Sequence, residues 1–92
     1  MIIDAKTLLG ASVCLQTGVS VGRVVNFELD TETRTLAAIH VATSIIKGLL
    51  HKTLIVGHQQ IISIDRDRVI VRDTAIPAEY DHLLRTAQSP AK

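Results

Sequence analysis

Residues 18–30 read Gly-Val-Ser-Val-Gly-Arg-Val-Val-Asn-Phe-Glu-Leu-Asp, and this stretch decides the fold class. In residues 19–29 the odd positions are apolar except at Arg23, which is the alternation of a half-buried β-strand. The adjacent pair Val24-Val25 breaks this alternation. We therefore expect a β-bulge within residues 22–26.

The segments on both sides of this strand also have β character. The chain contains nine Val, eleven Ile and nine Thr, so 29 of its 92 residues are β-branched and suit a pleated surface. Val13 and Leu15 point the same way in a first strand, and a polar hairpin loop spans residues 30–34. Further strands are predicted at residues 35–43, 54–56, 61–64 and 68–72, with a corner at 57–60 and a tight turn at 65–67.

Helical signals occur at the two ends of the chain. Asp4 can cap a short turn over residues 5–9, and Gly10 can end that turn in a left-handed conformation. Pro77 suits the first position of a helix. The apolar residues that follow share one helical face: Ile76, Tyr80, Leu83, Leu84 and Ala87. We predict an all-β fold, a small partly open β-barrel of five to six strands over residues 1–76, with one C-terminal α-helix at 77–88 packed on it and a tail at 89–92.

Composition excludes several classes of protein. The net charge is +1, so the chain carries no polybasic surface for nucleic acid or an anionic membrane. The single cysteine, Cys14, allows no internal disulfide and fits a reducing compartment. No signal peptide is recognisable, and the apolar stretch at 45–56 is far shorter than the ~20 residues that span a bilayer. We expect a cytoplasmic, soluble protein without membrane insertion.

The order of glycines and aliphatic residues resembles a PRC-barrel domain. The matching segments are Leu8-Leu9-Gly10, residues 18–24, Phe27-Glu28-Leu29-Asp30, and residues 36–41, 54–56, 61–64 and 69–71. The sequence departs from the family at Asn26, where an acidic residue is usual, and at Arg34, near which the family has a glycine. Gly57 and His58 stand where a proline and a bulky residue are common. The resemblance covers residues 5–75 and implies a non-enzymatic adaptor module that binds other proteins. The family also occurs in photosynthetic reaction centres and in a ribosome maturation factor.

The residue types that carry chemistry do not form a catalytic or metal-binding pattern. The four histidines (His40, His51, His58 and His82) lack metal-ligand spacing, and we expect a structural role for Cys14. The carboxylates Asp30, Glu32, Asp65 and Asp67 are expected to be turn residues. We therefore predict no catalytic residue, no cofactor and no metal. A small enzyme or metal protein is the third-ranked class of function.

Direct binding of RNA or DNA is disfavoured. Arg66, Arg68 and Arg72 alternate with acidic residues. We expect Phe27 in the core and Tyr80 on the helix, which leaves no aromatic platform on which bases could stack. An accessory role in ribosome maturation or RNA processing remains the alternative to an adaptor.

The segment at residues 44–52 is unusually apolar for a connection between strands. It either caps one end of the barrel or forms an interface with a protein partner or with a second copy of the chain. We predict a self-associating interaction module, most simply a homodimer. Its expected interface residues are Ile45, Ile46, Leu49, Leu50, Tyr80 and Leu84.

Overall fold

The structure, a computed structural model, describes residues 1–44 and 51–77, without the side chains of residues 44, 51 and 52. The described elements are α1 (Ala5–Leu8), β1 (Ser12–Leu15), β2 (Ser20–Asp30), β3 (Thr35–Ser44), β4 (His51–Gly57), β5 (Ile61–Ile64) and β6 (Arg68–Val71). Short 3-10 helices lie at His58–Gln60 and Asp73–Ala75. The predicted strands are thus present, and the expected corner at 57–60 contains the first 3-10 helix.

The six strands form one sheet in the order β4-β3-β2-β1-β6-β5. Neighbouring strands are antiparallel except β1 and β6, which are parallel. Within the described residues the sheet is not closed, because β4 and β5 are its two edges. These edge strands are consecutive in sequence, and the 3-10 helix at 58–60 connects them. The prediction of a mostly β, partly open architecture with five to six strands is confirmed, and the number is six.

The predicted C-terminal helix at 77–88 has no support in the structure. Apart from Pro77, that helix and the tail at 89–92 lie outside the described residues. Among the described residues the α-helix is the N-terminal α1, where the capped turn was expected. The backbone N–H of Thr7 donates to Oδ1 of Asp4 at 2.8 Å, and Gly10 has a φ of 93°, which only glycine adopts readily.

The long strand β2 carries the predicted bulge, and the bulge reverses part of the expected burial. Val24 pairs with Val41, while Asn26 pairs with His40, so Val25 is an extra residue in the ladder. Val24 is therefore inward and 1% exposed, whereas Val25 is 51% exposed. The alternation of a half-buried strand, in which the apolar odd positions share the inward side, therefore fails at Val25 and also at Leu29. A two-residue period cannot continue through inserted residues.

Close contact between β2 and β3 depends on Gly22. A Cβ atom built at this glycine would overlap the backbone carbonyl oxygen of Ala42 and lie 2.9 Å from its carbonyl carbon. No side chain fits between the two backbones without moving one of them. Gly22 thus allows β2 and β3 to approach each other near the point where β2 also pairs with β1.

The core consists of the inward residues of all strands except β5, together with α1 and the chain after β6. Val13, Leu15, Ile39, Val69 and Val71 are fully buried. The cluster also contains Leu8, Ala11, Val21, Val24, Val41, Leu54, Val56 and Ile76. Because these side chains are nearly all aliphatic, the core is held by burial and packing. Half-buried Phe27, Leu36 and Ile64 pack against its outside.

Candidate functional site

An open cleft of about 370 Å³ lies between the N-terminal segment, the β2–β3 hairpin and β5. We call it the apolar cleft. Its lining is aliphatic or aromatic apart from one carboxylate, and comprises Met1, Ile3, Asp4, Ala5, Leu8, Phe27, Leu29, Leu36 and Ile64. A concave surface of this composition offers burial to apolar groups and very few hydrogen bonds.

The N-terminal wall of the apolar cleft is held by α1 and by backbone hydrogen bonds to β2. Leu8, at the end of α1, is buried in the core. Beyond it, the N–H of Gly10 donates to the carbonyl of Val24 at 2.7 Å. The guanidinium of Arg23 donates from Nη1 to the carbonyl of Gly10 at 2.8 Å. Arg23, the exception in the apolar alternation of β2, thus anchors the chain that precedes β1.

Asp4 provides the carboxylate in the described lining of the apolar cleft. Its carboxylate is committed to capping α1, because it accepts the backbone N–H of Thr7. Hydrogen bonds from Thr7, first of the side chain and then of the backbone, lower the pKa of Asp4 below its usual value. Asp4 therefore places a negative charge at the wall of an otherwise apolar surface at neutral pH.

The floor and the rim of the apolar cleft differ in exposure. Phe27, Leu36 and Ile64 are half-buried and form part of the layer packed on the core. Leu29 is opposite Leu36 in the β2–β3 ladder but is 61% exposed. Met1 is also exposed, and the neighbouring Ile2 is 92% exposed. Large apolar side chains therefore surround the opening in water, where contact with a partner would bury them.

Two further clefts, of about 460 and 310 Å³, adjoin the apolar cleft. One shares Leu36 and Ile64 with it, and the other shares Leu36. We call the three together the groove. Besides the residues of the apolar cleft, it is lined by Asp30, Thr33, Thr35, Ala37, Gly57, His58, Gln59, Gln60, Ile61, Ile62 and Ser63. In this described lining the carboxylates are those of Asp4 and Asp30, and neither Lys nor Arg contributes.

The described lining of the groove includes none of the interface residues predicted from sequence. Ile45, Ile46, Leu49, Leu50, Tyr80 and Leu84 all lie outside the described residues. Their assignment to an interface stays a prediction.

Within the described residues, His40 makes a side-chain contact with Glu28 at the surface. His40 Nε2 and Glu28 Oε2 are 2.7 Å apart on adjacent strands β3 and β2. Both side chains are partly solvated, so the pair contributes little to stability. Within residues 1–44 and 51–77, no group of three or more His, Cys, Asp or Glu side chains is placed to hold a metal ion.

Two of the four loop carboxylates that were expected to be turn residues, Asp30 and Asp65, accept backbone hydrogen bonds within their turns. Asp30 Oδ1 accepts the backbone N–H groups of Glu32 and Thr33 at 2.9 and 3.3 Å. Asp65 Oδ1 accepts the N–H of Arg66 at 2.8 Å. These hydrogen bonds satisfy backbone N–H groups of the two loops.

Cys14 is half-buried, and its thiol is not part of a disulfide.

The arginines considered for nucleic-acid binding are partly engaged with the barrel itself. Arg72 donates from Nε to the carbonyl of Gln59 at 3.2 Å, while Arg66 and Arg68 are exposed near the 65–67 turn. Phe27 lines the apolar cleft and is only half-buried, so one of the two aromatic rings is at a surface after all.

The apolar cleft was not predicted from sequence. Two signals for it exist in hindsight: the run Met1-Ile2-Ile3 before the helix cap, and Leu29 and Leu36 flanking the polar hairpin loop. Neither signal specifies a cleft by itself. The lining residues are distant in the chain and come together only when the β2–β3 hairpin and β5 have taken their places in the fold.

Comparisons with known proteins agree with the mostly β fold described above. A family model described as PRC-barrel domain matches residues 1–76. Among solved structures, the chain resembles one from Pseudomonas aeruginosa described as a 16S ribosomal RNA processing protein, RimM. The TM-score is 0.51 at 17% identity, covering 76% of this chain and 43% of the RimM chain. That likeness shows a shared fold, and the chain spans less than half of RimM. No match was found among curated proteins.

Proposed function

Because the chain belongs to the PRC-barrel domain family, we propose that it is a non-catalytic adaptor module that binds another protein through the groove. The observation that carries this proposal is the apolar cleft, an open concave surface with a carboxylate as its charged group. A site for a small polar substrate needs several convergent polar groups, whereas an apolar protein segment needs mainly surface to bury.

The favourable free energy of binding would come largely from the exposed apolar side chains around the opening of the apolar cleft. Burying an exposed large aliphatic side chain contributes about 1.5–3 kcal/mol before ordering costs. The three exposed side chains Leu29, Met1 and Ile2 together offer at most about three times that amount. That sum is comparable with the cost of association, about 4–15 kcal/mol, so a stable complex also requires burial against the half-buried lining of the apolar cleft.

We propose further that the chain self-associates and works in the cytoplasm. Self-association is supported by the predicted apolar surface at Ile45, Ile46, Leu49 and Leu50, with Tyr80 and Leu84 after the barrel. Among the described residues, no helix is long and apolar enough to cross a membrane.

The adaptor proposal is tested with a matched pair of variants. Leu29→Asp places a charge on the rim of the apolar cleft, and Ile55→Asp does the same at a position on β4 that is 64% exposed and does not line the cleft. Affinity capture from the native host should recover a partner with the wild type and with Ile55→Asp but not with Leu29→Asp. Equal recovery with both variants would contradict binding through the groove.

The self-association proposal has its own measurement. Sedimentation equilibrium of the full chain from low to high micromolar concentration should show a mass above that of the monomer, and Leu49→Asp should lower it. A monomeric mass at every concentration would remove self-association and leave the adaptor proposal standing.

A second candidate function is an accessory role in ribosome maturation, and the fold shared with RimM is the observation that favours it. Sucrose-gradient centrifugation of a lysate tests this idea. Co-sedimentation with ribosomal subunits that persists at raised salt would indicate protein contacts, whereas phosphate contacts would weaken steeply with salt. Absence from the ribosomal fractions would exclude this candidate.

A further inference from the structure

We propose that the groove binds a segment of the partner protein in extended conformation, and that this segment adds as a further strand to the free edge of β5. The segment carries apolar side chains at alternate positions and a basic residue at one end. This deepens the proposed function and rests on it, because the groove is the same surface. Three features support it: the course of the groove along β5, the direction of the backbone groups of that strand, and the charge of the lining.

The groove follows the edge of β5. One of its three clefts is lined by all four residues of this strand, Ile61–Ile64. Successive side chains of a strand point to opposite faces of the sheet, so a cleft that touches four residues in succession lies along the edge. The other edge of β5 is occupied by β6. Because β5 is an outermost strand, no second strand within the described residues pairs with it.

The hairpin between β5 and β6 determines the direction of the backbone groups of Ile64. The N–H of Asp65 donates to the carbonyl of Arg68 at 2.8 Å, which makes these residues a hydrogen-bonded pair. Hydrogen-bonded and non-hydrogen-bonded pairs alternate in an antiparallel ladder. The next pair, Ile64 with Val69, is therefore non-hydrogen-bonded, and Ile64 turns its N–H and its carbonyl away from β6. Since Ile64 also lines the groove, this donor and this acceptor lie at its wall.

The same alternation applies at the start of β5, before the register shift between Ile61 and Ser63. The N–H of Arg72 donates to the carbonyl of Gln60 at 2.8 Å, so the adjacent Ile61 also turns its backbone groups away from β6. The N–H of Ile61 donates to the carbonyl of His58 in the 3-10 helix, and its carbonyl remains as an acceptor. An edge with such groups is a template for pairing with another chain.

The apolar walls of the groove suit an added strand. Leu36 lines all three clefts and Ile64 lines two of them. Both side chains pack against the outside of the core. A segment paired with Ile64 would direct every second side chain toward this layer and the others to water. In strand addition the main-chain hydrogen bonds give affinity and the alternate side chains give specificity.

A helix is a poorer occupant of the same surface. It could bury the apolar walls, but its own backbone groups are hydrogen-bonded within the helix. It would therefore cover the N–H and the carbonyl of Ile64 without pairing them, and burying an unpaired donor or acceptor costs free energy. An extended segment buries the apolar walls and pairs these groups as well.

The charge of the groove favours a basic residue in the segment. The carboxylates of the described lining are those of Asp4 and Asp30, and neither Lys nor Arg contributes to it. Asp4 lines the apolar cleft together with Ile64. A Lys or Arg close to the residue that pairs with Ile64 would therefore be attracted by the carboxylate of Asp4, and an acidic residue there would be repelled.

Amide hydrogen exchange of the free full chain, followed by NMR, tests the direction of the edge groups. After correction for intrinsic rates, the N–H of Ile64 should exchange on the order of a hundredfold faster than that of Ser63, which faces β6. Equal protection of both amides would show that the edge is already paired and would overturn the proposal. Protection of Ile64 that rises with protein concentration would assign the edge to a second copy of the chain and would overturn it too.

The probe for binding is the synthetic peptide acetyl-Lys-Val-Thr-Val-Thr-Val-Lys-amide, titrated into the isotope-labelled full chain. It should bind saturably and slow the exchange of the Ile64 amide. Two further forms are methylated on alternate backbone nitrogens, one form in each frame, and keep every side chain. The form that loses the N–H groups facing β5 should bind at least about tenfold more weakly, while the other should bind like the parent peptide. Glutamate in place of both lysines should weaken binding severalfold.

Leu29→Asp should weaken binding of the parent peptide at least about tenfold, because it places a charge on the rim of the apolar cleft. Ile55→Asp, an exposed position on the other edge strand, should leave binding unchanged. Circular dichroism melts verify that both variants are folded.

Four outcomes of the titration would overturn the proposal: no saturable binding up to several millimolar peptide, equal binding of the two methylated forms, equal or tighter binding of the glutamate form, or protection of β4 amides in place of Ile64. A partner that is captured through the groove but leaves the Ile64 amide exchanging freely would overturn strand addition alone. The adaptor proposal would then stand, so the two ideas fail separately.

Discussion

Truncating the two adjacent valines of β2 separately, as Val24→Ala and Val25→Ala, provides the sharpest test of the fold. The pair differs in exposure, 1% against 51%, only because the bulge turns Val24 inward. Both substitutions remove the same atoms from neighbouring positions of one strand. A difference in their cost therefore reports on the register.

The expected magnitudes follow from burial. At Val24 the loss of two methyl groups costs about 1.6 kcal/mol of transfer free energy at ~0.8 kcal/mol per group, and the residual cavity brings the total to about 2–3 kcal/mol. For a domain of this size that lowers Tm by about 10–20 °C. The Val25 side chain is mostly in water, so Val25→Ala should lower the free energy of unfolding by no more than about 1 kcal/mol. Much of that loss would come from the lower β-propensity of alanine.

Thermal and urea unfolding followed by circular dichroism measures both variants. Val24→Thr and Val25→Thr serve as controls because threonine keeps the β-branched shape. The hydroxyl should cost about 1–3 kcal/mol at the buried position and almost nothing at the exposed one. A larger loss at Val25 than at Val24, or equal losses, would refute the bulge and restore the simple alternation of β2.

Three further predictions concern backbone and capping. Gly22→Ala should lower the free energy of unfolding by at least about 3 kcal/mol or prevent folding, because the new Cβ would overlap Ala42. Gly57→Ala is the control: its Cβ would meet nothing within 4 Å, so the free energy of unfolding should change by less than about 1 kcal/mol. Arg34→Gly should stabilise the protein by about 0.5–1 kcal/mol in urea unfolding, since Arg34 holds a φ of 60°; a loss of stability would show that the arginine side chain matters more than the strain. Asp4→Ala should lower Tm at neutral pH. Because the folded pKa of Asp4 is depressed, that difference should persist above about pH 3.8 and vanish as the pH falls below it; a constant difference down to pH 2 would contradict the cap.

Arg34 illustrates how a departure from the family pattern acquires a physical meaning. The resemblance implied a glycine in the hairpin loop, and in the structure Arg34 occupies the left-handed region that glycine favours. The loop keeps its conformation because Asp30 accepts two of its N–H groups. The family fold thus tolerates the substitution at a local cost that Arg34→Gly would remove.

Much of this protein is determined by its sequence alone. The β-branched composition, the alternation in residues 35–43 and 68–72, the cap at Asp4 and the turns at 30–34 and 65–67 depend on neighbours in the chain, so local rules predict them. The bulge at Val24-Val25 was also predictable, since two adjacent valines cannot share one face of a regular strand.

Only the tertiary structure decided which valine of that pair faces the core, because the choice depends on how β3 pairs with β2. The same holds for the parallel contact of β1 with β6, two strands separated by most of the chain. The apolar cleft is the clearest case. Ile3, Phe27, Leu36 and Ile64 come from four separate segments, and no local pattern encodes a surface that exists only when they meet. Periodicity reports which side of an element is apolar, whereas long-range packing decides whether that side is covered or left open to a partner.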